Sequence, residues 1–448
     1  MPAAAVCKLQ KVALLFFVLL LFGIIALQKQ IRTIYVADDR SNNNDNVTFD
    51  VIDISPNNNN TVENEKAGES LFSLLNLSHG AFVQCRKDTP SHLNATTFWE
   101  RQCYVNMTES ARFYHLGKGG GGTIFFSLVE NGIVVERDHP RPIHGIEQIL
   151  NGTVSTLLIN IRDPVDRFVS AFNWRSLLFC QRDGEKRKKY PSEVDEKDRK
   201  RYQPHLHPQE FCFDKSVYPK EATIIQKLYK DDVNKMAESL CEESSNVEEA
   251  IQYTKFISHA KLSLAEWLQP LLFDTDTNTT SSIKPQGLSK FMAITLEQHS
   301  QHNSSLLQHT HEAVNQLYLD HGVDEKTLDS LLRHKPVRMK GVSEIMTHSS
   351  NKIAKGKVLG AIGECCLSRF LEDDYRLIQI MSGVTKSSKD VVALDRVHPI
   401  IREACNWGSL KRRQLCRADL QSMLHRRAKF LDRKLGTCQD VVSLVDEV

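Results

Sequence analysis

The sequence predicts an α/β protein in which helices flank a central parallel β-sheet, with an N-terminal transmembrane anchor. Two stretches predict the sheet. Residues 111–116 form a strand-like segment that leads through a glycine-rich loop into an apolar helix, for which Asn131-Gly132 supplies a stop. The β-rich run 154–161 ends at a helix start. The uninterrupted apolar run 12–27 predicts the anchor. A chain of 448 residues is long enough to bury a large core around such a sheet.

The loop after the first strand has the composition of an anion-binding site. Glycine lets the backbone bring its N–H groups close to a ligand, and the N-terminus of the next helix adds a partial positive charge. Lys118 contributes a mobile charge and Thr123 a hydroxyl group. We therefore predict a phosphate or sulfate cradle here, and a plain polyglycine linker is the alternative. The glycines of the loop are Gly119, Gly120, Gly121 and Gly122.

This loop differs from a Walker A loop. That motif places its glycines before the lysine and a Ser or Thr directly after it. Here Lys118 precedes the glycines and Thr123 follows five residues later. The usual hydroxyl ligand for magnesium is therefore not in place, which disfavours a metal-dependent nucleotide hydrolase.

The second strand, 154–161, ends at a motif that suits a second anion site. Asp163 is a good N-cap and Pro164 suits the first helical position, so we expect a helix to start there. Arg162 and Ser170 are then left to converge near the carboxyl end of the strand, where an arginine fork and a hydroxyl group could hold a phosphate. An ordinary capped helix with a surface arginine is the alternative.

Together, Lys-Gly-Gly-Gly-Gly-Thr after one strand and Arg-Asp-Pro-x-x-Arg-x-x-Ser after a later one resemble the sulfotransferase family that uses 3'-phosphoadenosine 5'-phosphosulfate (PAPS), in particular its Golgi type II membrane carbohydrate sulfotransferases. The resemblance covers roughly residues 113–381. It implies a P-loop-like sulfotransferase fold. It also implies that Lys118 and residues 119–123 bind the 5'-phosphosulfate, and that Arg162 and Ser170 bind the 3'-phosphate. Four consecutive glycines depart from the commoner family pattern, which has a larger residue in the loop.

The resemblance also implies a catalytic base near residues 132–139, where the family usually places a Glu or a His. His139 is the first candidate, followed by Glu136 and His144, because a histidine titrates near neutral pH and can accept the proton of an attacking hydroxyl group. Further along, His259 is a candidate for contact with the acceptor, although a packed core histidine is the favoured interpretation. The chain contains 17 histidines, so a structural or exposed role is the alternative for each of them.

The first 70 residues predict that the protein is anchored in a membrane. Two lysines precede the apolar run and no small-residue cleavage site follows it, which favours an uncleaved signal anchor over a cleaved signal peptide. An Asn- and Asp-rich stretch then predicts a disordered stem. We therefore expect five segments: a cytoplasmic tail at 1–11, the anchor at 12–27, the stem at 28–70, a lumenal catalytic domain at 71–395, and a helical, cysteine-containing C-terminal extension at 396–448.

Sequons and cysteines support a lumenal location. N-glycosylation needs the secretory pathway, and Cys7 is the one of eleven cysteines that lies on the cytosolic side of the predicted anchor. The sequons begin at Asn46, Asn59, Asn76, Asn94, Asn106, Asn151, Asn278 and Asn303.

Spacing suggests two disulfides, one between Cys85 and Cys103 and one between Cys180 and Cys212, although connectivity cannot be derived from sequence. A zinc site is the alternative for the adjacent pair Cys365-Cys366, which lacks ordinary ligand spacing.

Two basic segments have open interpretations. Residues 181–210 form an insertion that either grips an acidic polysaccharide or is a solvated surface loop. Residues 333–357 carry seven Lys or Arg against one Glu, and form either a loop that closes over a nucleotide, as in related enzymes, or an exposed basic loop. The net charge of +2 gives no indication of nucleic-acid binding.

The sequence therefore predicts a sulfotransferase of the Golgi lumen that transfers the sulfonyl group of PAPS to a hydroxyl group without a metal. The expected acceptor is a carbohydrate or glycoconjugate. Two alternatives stay open. One is a nucleotide-dependent lumenal kinase or glycosyltransferase, which is disfavoured because no acidic D-x-D pair stands beside either motif; Asp274-Thr-Asp276 lies in a polar loop. The other is a type II membrane glycan-binding receptor without catalysis, whose glycine loop merely binds an anion.

Overall fold

The structure is a computed structural model. It describes residues 49–51, 77, 81–86, 103–138, 153–179, 188–189, 211–213, 215–216, 218–241, 246–272, 288–296, 305–328, 359–383 and 399–432. All of them belong to the unit formed by residues 49–192 and 204–448. The predicted anchor and the basic segment 333–357 lie outside the described residues, as does the predicted stem apart from residues 49–51. Within the described ranges, no helix is both long enough and apolar enough to span a membrane.

The described strands are short, except for two of seven residues. In chain order they are β1 (Phe49–Val51), β2 (Phe82–Arg86), β3 (Cys103–Asn106), β4 (Ala111–Tyr114), β5 (Ile133–Val134), β6 (Glu136–Asp138), β7 (Thr156–Arg162), β8 (Lys188–Lys189), β9 (Phe211–Cys212) and β10 (Lys290–Leu296).

The described helices vary in length from four to 23 residues. They are α1 (Gly121–Glu130), α2 (Pro164–Leu178), α3 (Pro219–Ala222), a π-helix (Thr223–Leu228), α4 (Val233–Glu238), α5 (Val247–Thr254), α6 (Leu264–Leu272), α7 (Ser305–Asp320), α8 (Ala361–Phe370), α9 (Glu372–Ser382), α10 (Pro399–Arg402) and α11 (Leu410–Asp432).

A four-stranded parallel sheet runs through the middle of these elements in the order β10-β7-β4-β6. Tyr114, the last residue of β4, is the register partner of Ile159 in β7 and of Asp138 in β6. Leu296 at the end of β10 is the partner of Arg162 at the end of β7. The four strands therefore end at one edge, and ligands of open α/β sheets bind at this edge.

Both faces of the parallel sheet are covered, which explains the near-continuous apolar sequence of β7 and β10. Side chains alternate between the faces of a strand. In β7, Leu157, Ile159 and Ile161 belong to one apolar cluster, together with residues of α2, α8, α9 and α11. Leu158 belongs to the other cluster, together with residues of α1 and α7. A strand buried on both faces needs no polar alternation.

The other strands form two smaller sheets. β1, β2, β3 and β5 make a four-stranded sheet in that order, and β8 pairs with β9. The strand-like stretch 132–139 is divided between the two larger sheets. Ile133 of β5 pairs with Val105 of β3, whereas Glu136 of β6 pairs with Arg112 of β4.

Two predicted helix boundaries agree with the structure. The carboxyl group of Asp163 caps α2 by accepting a hydrogen bond of 3.1 Å from the Asp166 N–H, and Pro164 is the first helical residue. Asn131 is the C-cap of α1, at the predicted Asn-Gly stop.

Disulfides join elements that are distant in sequence. Cys241, just after α4, is bonded to Cys366 in α8, and Cys405 is bonded to Cys416 in α11. Cys365 and Cys212 are also disulfide-bonded, so both members of the adjacent cysteine pair are disulfide cysteines and not thiolate ligands of zinc. Cys85 and Cys103 are register partners on β2 and β3, and their pairing as a disulfide stays a prediction, as does that of Cys212 with Cys180.

Candidate functional site

The loop between β4 and α1 has the backbone of an anion-binding turn. Lys118 and Gly120 both adopt left-handed conformations, with φ of 66° and 82°. Gly120 is the N-cap of α1, no side chain caps this end of the helix, and its first turn contains no acidic residue. The N–H groups of the first turn are thus not taken up by a capping side chain, and the positive end of the helix dipole faces the loop.

The loop is held at its start by Asn160 of β7. The side-chain Oδ1 of Asn160 accepts a hydrogen bond from the Leu116 N–H at 2.7 Å, and its Nδ2 donates to the Leu116 carbonyl oxygen at 2.8 Å. Asn160 is fully buried. A Cβ atom at position 119 would lie 2.3 Å from Asn160 Nδ2, so only glycine fits there.

At position 122 the surroundings are different. A Cβ atom on Gly122 would meet no atom within 4 Å, so the first turn of α1 faces open space at this position. Thr123, the next residue, is half-buried. The predicted cradle residues are therefore all on one loop and one helix start, with room beside them for a ligand.

Two cations converge on the loop. Arg162, the last residue of β7, donates from Nη1 to the carbonyl oxygen of Lys118 at 2.8 Å. Burial, together with the smaller effect of the nearby positive charge of Arg162, lowers the pKa of Lys118 to about 8. Burial also lowers the pKa of Arg162, which Asp166 and Asp163 partly counteract. Among the described residues, no carboxylate offsets the lowered pKa of Lys118. A bound anion would therefore stabilise the ammonium form of this residue.

Helix α2 borders the same loop. The Lys118 ammonium lies 4.2 Å from the centroid of the Trp174 ring, a cation–π contact. Ser170 stands one helical turn before Trp174, so the two side chains share a face of α2. Ser170 is half-buried. The structure thus brings Lys118 and Arg162, predicted from two separate motifs, together at the end of β7, and Ser170 lies on α2 one turn from the Lys118 contact.

Behind this face, the N-cap of α2 is held by the C-terminal helix. Arg427 of α11 donates from Nη2 to Asp163 Oδ1 at 3.2 Å and from Nη1 to Glu364 Oε1 at 2.5 Å. The Tyr375 hydroxyl donates to Asp163 Oδ1 at 3.0 Å and accepts from Arg427 Nε at 3.1 Å. The C-terminal segment therefore stabilises the start of the helix that carries Ser170.

Two histidines adjoin the loop. The His259 imidazole packs on Gly117: a Cβ atom there would lie 2.3 Å from His259 Nδ1. His259 has a left-handed backbone, with φ of 67°, and its carbonyl oxygen accepts from Arg167 Nη1 at 2.9 Å. Its side chain is half-buried, neither sealed in the core nor fully exposed. His115 packs similarly against Gly121, whose Cβ would lie 1.8 Å from His115 Cδ2.

Among the predicted bases, only Glu136 is described. It lies at the first position of β6, is exposed, and forms an ion pair with the buried Arg112 of the neighbouring strand. His139 follows Asp138, the last residue of β6, in sequence, but it and His144 lie outside the described residues. A catalytic base at His139 or His144 stays a prediction.

Sequence reasoning missed Asn160 and Trp174. The signal for Asn160 was a lone amide inside an apolar strand, since a buried amide needs hydrogen-bond partners and the loop is the nearest irregular backbone. The signal for Trp174 was its spacing of four residues from Ser170, which places both on one helical face. His115 carried no signal beyond its position before the loop.

The described residues contain no group of three or more His, Cys, Asp or Glu side chains arranged to hold a metal ion. Comparison of the chain with protein-family models, with curated proteins and with solved structures gives no match.

Proposed function

We propose that this protein is a PAPS-dependent sulfotransferase with a P-loop-like sulfotransferase fold, anchored in the Golgi membrane with its catalytic domain in the lumen. The observation that supports it best is the convergence of Lys118 and Arg162. Two cations meet at the positive end of α1, and none of the described carboxylates offsets the lowered pKa of Lys118. PAPS carries both a phosphosulfate and a 3'-phosphate, so a site for it needs more than one cation.

The residues present fit this donor. The loop glycines and the open first turn at Gly122 leave room for a sulfonyl group within reach of backbone N–H groups. Arg162 and Ser170 lie at the end of the neighbouring strand and on the helix that follows it, where they would hold the 3'-phosphate. A carbohydrate or glycoconjugate acceptor accords with the lumenal location that the sequence predicts.

When bound, PAPS supplies the sulfonyl group, whose bond to the phosphate oxygen breaks as the acceptor oxygen bonds to sulfur. Lys118 and the N–H groups of the loop then stabilise the charge that grows on the leaving phosphate oxygen. Such preorganised donors are typically worth about 3 to 4 kcal/mol each. His139 is the first candidate to accept the proton of the acceptor hydroxyl group. Glu136 is the second, but its carboxylate is already engaged by Arg112. None of these steps requires a metal.

The test is transfer of radiolabelled sulfate from PAPS to a panel of desulfated glycans by the full-length protein, with and without EDTA. We expect metal-independent transfer that is lost in Lys118→Ala and in Arg162→Ala. Lys326→Ala is the matched control, because Lys326 is exposed. Binding of adenosine 3',5'-bisphosphate is measured beside transfer. If the folded protein neither transfers sulfate nor binds this nucleotide, the proposal is wrong.

A further inference from the structure

A patch of aromatic and lysine side chains lies on the surface next to α2. Tyr218 and Phe256 are among the few large hydrophobic residues that the described part of the chain exposes, at 42% and 44%. The Lys220 ammonium lies 5.1 Å from the centroid of the Phe256 ring. We call Tyr218, Lys220 and Phe256 the aromatic–lysine surface. A cation lies over each ring, Lys220 over Phe256 and Arg175 over Tyr218.

This surface is fixed by one buried ion pair. Arg175 of α2 donates from Nε and Nη2 to the two carboxylate oxygens of Glu221, at 2.8 and 2.6 Å. Glu221 also accepts a hydrogen bond of 2.7 Å from the N–H of Ser258, and the Arg175 guanidinium lies 4.8 Å from the Tyr218 ring centroid. The segment with Tyr218 and Lys220 and the turn with Phe256 are therefore joined to α2 and to each other.

The same turn and helix also contact the glycine loop. Trp174, the neighbour of Arg175, contacts the Lys118 ammonium, and His259, the neighbour of Ser258, packs on Gly117. The surface is thus joined to the start of the loop, at Gly117 and Lys118, through residues adjacent to those that fix it.

The charge of these two segments favours an anion. Residues 215–230 and 255–262 contain a single acidic residue, Glu221, which is buried in its ion pair with Arg175. The lysines of the two segments are all exposed: Lys215, Lys220, Lys227, Lys230, Lys255 and Lys261. Acidic residues flank the first segment at Asp214, Asp231 and Asp232, so the excess of positive charge belongs to the two segments themselves. Such an excess attracts anionic partners before they reach the site.

We propose that the aromatic–lysine surface is an acceptor subsite that binds an anionic oligosaccharide, an inference that rests on the proposed sulfotransferase function. The apolar C–H face of a sugar ring stacks on Phe256 or Tyr218, and Lys220 pairs with a carboxylate or sulfate of the same or the next sugar. Tyr218 and Phe256 keep 42% and 44% of their surface exposed, which leaves apolar area for such stacking.

The test compares a hexasaccharide and a disaccharide prepared from one desulfated, uronic-acid-containing glycan, as acceptors for the full-length protein. We expect the KM for the hexasaccharide to rise about tenfold in Phe256→Ala and severalfold in Tyr218→Ala and Lys220→Ala. The KM for the disaccharide and the affinity for adenosine 3',5'-bisphosphate stay unchanged. Ile362→Ala is the matched control, because Ile362 is an exposed apolar residue, at 55%, on α8.

Direct binding of the hexasaccharide, measured without PAPS, separates this proposal from the proposed function. If the variants weaken hexasaccharide binding and the protein transfers no sulfate, the acceptor subsite is supported and the sulfotransferase reaction is contradicted. If all three variants transfer sulfate with an unchanged KM for the hexasaccharide, the acceptor subsite is contradicted and the sulfotransferase reaction is not. Variants that lose binding to anionic lipid vesicles but keep hexasaccharide binding also contradict the acceptor subsite, because the partner is then a membrane.

Discussion

The side chain of Arg162 holds the backbone of Lys118: the guanidinium Nη1 donates to the Lys118 carbonyl oxygen at 2.8 Å. One arginine therefore shapes the loop that presents the lysine and also raises the local positive potential. Burial, aided by this charge, leaves Lys118 with a pKa of about 8 instead of 10.5. The protein maintains two close cations that a bound polyanion would stabilise.

The first prediction concerns pH. Lys118 is charged below its pKa of about 8, and a bound polyanion raises that pKa because it stabilises the ammonium form. Binding is then coupled to proton uptake, so the affinity for adenosine 3',5'-bisphosphate is highest below pH 8 and falls as the pH rises above it. The fall approaches about tenfold per pH unit until the pKa of the complex is reached. Isothermal titration calorimetry at several pH values measures it.

The control for this prediction is Lys118→Arg. A guanidinium group stays protonated throughout this range, so the pH dependence near 8 should disappear in the variant even if its affinity is lower. Parallel curves for the wild type and Lys118→Arg would show that another group is responsible.

The second prediction concerns two glycines of the loop. In Gly119→Ala the new methyl group would lie 2.3 Å from Asn160 Nδ2, and two hydrogen bonds to Leu116 prevent Asn160 from moving freely. We expect the free energy of unfolding to fall by about 1 to 3 kcal/mol. Gly122→Ala places a methyl group in open space in the first turn of α1, so the free energy of unfolding stays the same or rises by up to about 1 kcal/mol. Urea unfolding measures both, and equal effects would contradict the prediction.

The contrast between these glycines shows what could be predicted from the sequence. The glycine loop, the helix capped by Asp163 and the placement of Lys118, Arg162 and Ser170 near strand ends follow from local patterns of fewer than ten residues. Strand, cap and turn preferences act over such distances, and parallel strands bring their ends to one edge. That each glycine has a different neighbour was not predictable, because the neighbours come from other strands and helices.

The rest of the site depends on long-range packing. Asn160 is bonded to Leu116 over a separation of 44 residues, and Arg427 to Asp163 over 264. Sheet register and helix docking determine such pairs, and no periodicity in the chain encodes them. The disulfide partners of Cys241 and Cys405 were unpredictable for the same reason, since spacing alone cannot choose among many connectivities.

The third prediction tests the packing of His259 on the loop. A methyl group added in Gly117→Ala would lie 2.3 Å from Nδ1 and 2.7 Å from Cβ of His259, so the variant should be less stable by about 1 to 3 kcal/mol. In His259→Gly the space is free, and the left-handed φ of 67° suits glycine. The double variant should therefore recover most of the stability that Gly117→Ala loses.

A double-mutant cycle of urea unfolding measures this coupling. If His259 and Gly117 are not in contact, the changes in unfolding free energy of the two single variants add up in the double variant. Such additivity would contradict the packing of the imidazole on the loop.

The last prediction concerns the C-terminal helix. Arg427 of α11 pairs with Asp163 and Glu364, and Asp163 is buried. Arg427→Ala leaves Arg426, 3.8 Å from Asp163 Oδ2, as a cation beside the buried carboxylate. We therefore expect a cost at the lower end of the range of about 3 to 5 kcal/mol of unfolding free energy that is typical of a broken buried ion pair. Because Asp163 also caps the helix that carries Ser170, the affinity for adenosine 3',5'-bisphosphate should fall in the same variant. Urea unfolding and calorimetry measure the two effects.

Lys429→Ala is the matched control for Arg427→Ala, since Lys429 is exposed two residues later on the same helix. We expect its unfolding free energy to stay within about 0.5 kcal/mol of the wild type. Tyr375→Phe, which keeps the ring and removes only the hydroxyl between Arg427 and Asp163, should cost about 1 to 2 kcal/mol. If Arg427→Ala is no more damaging than Lys429→Ala, the C-terminal helix does not stabilise the start of α2.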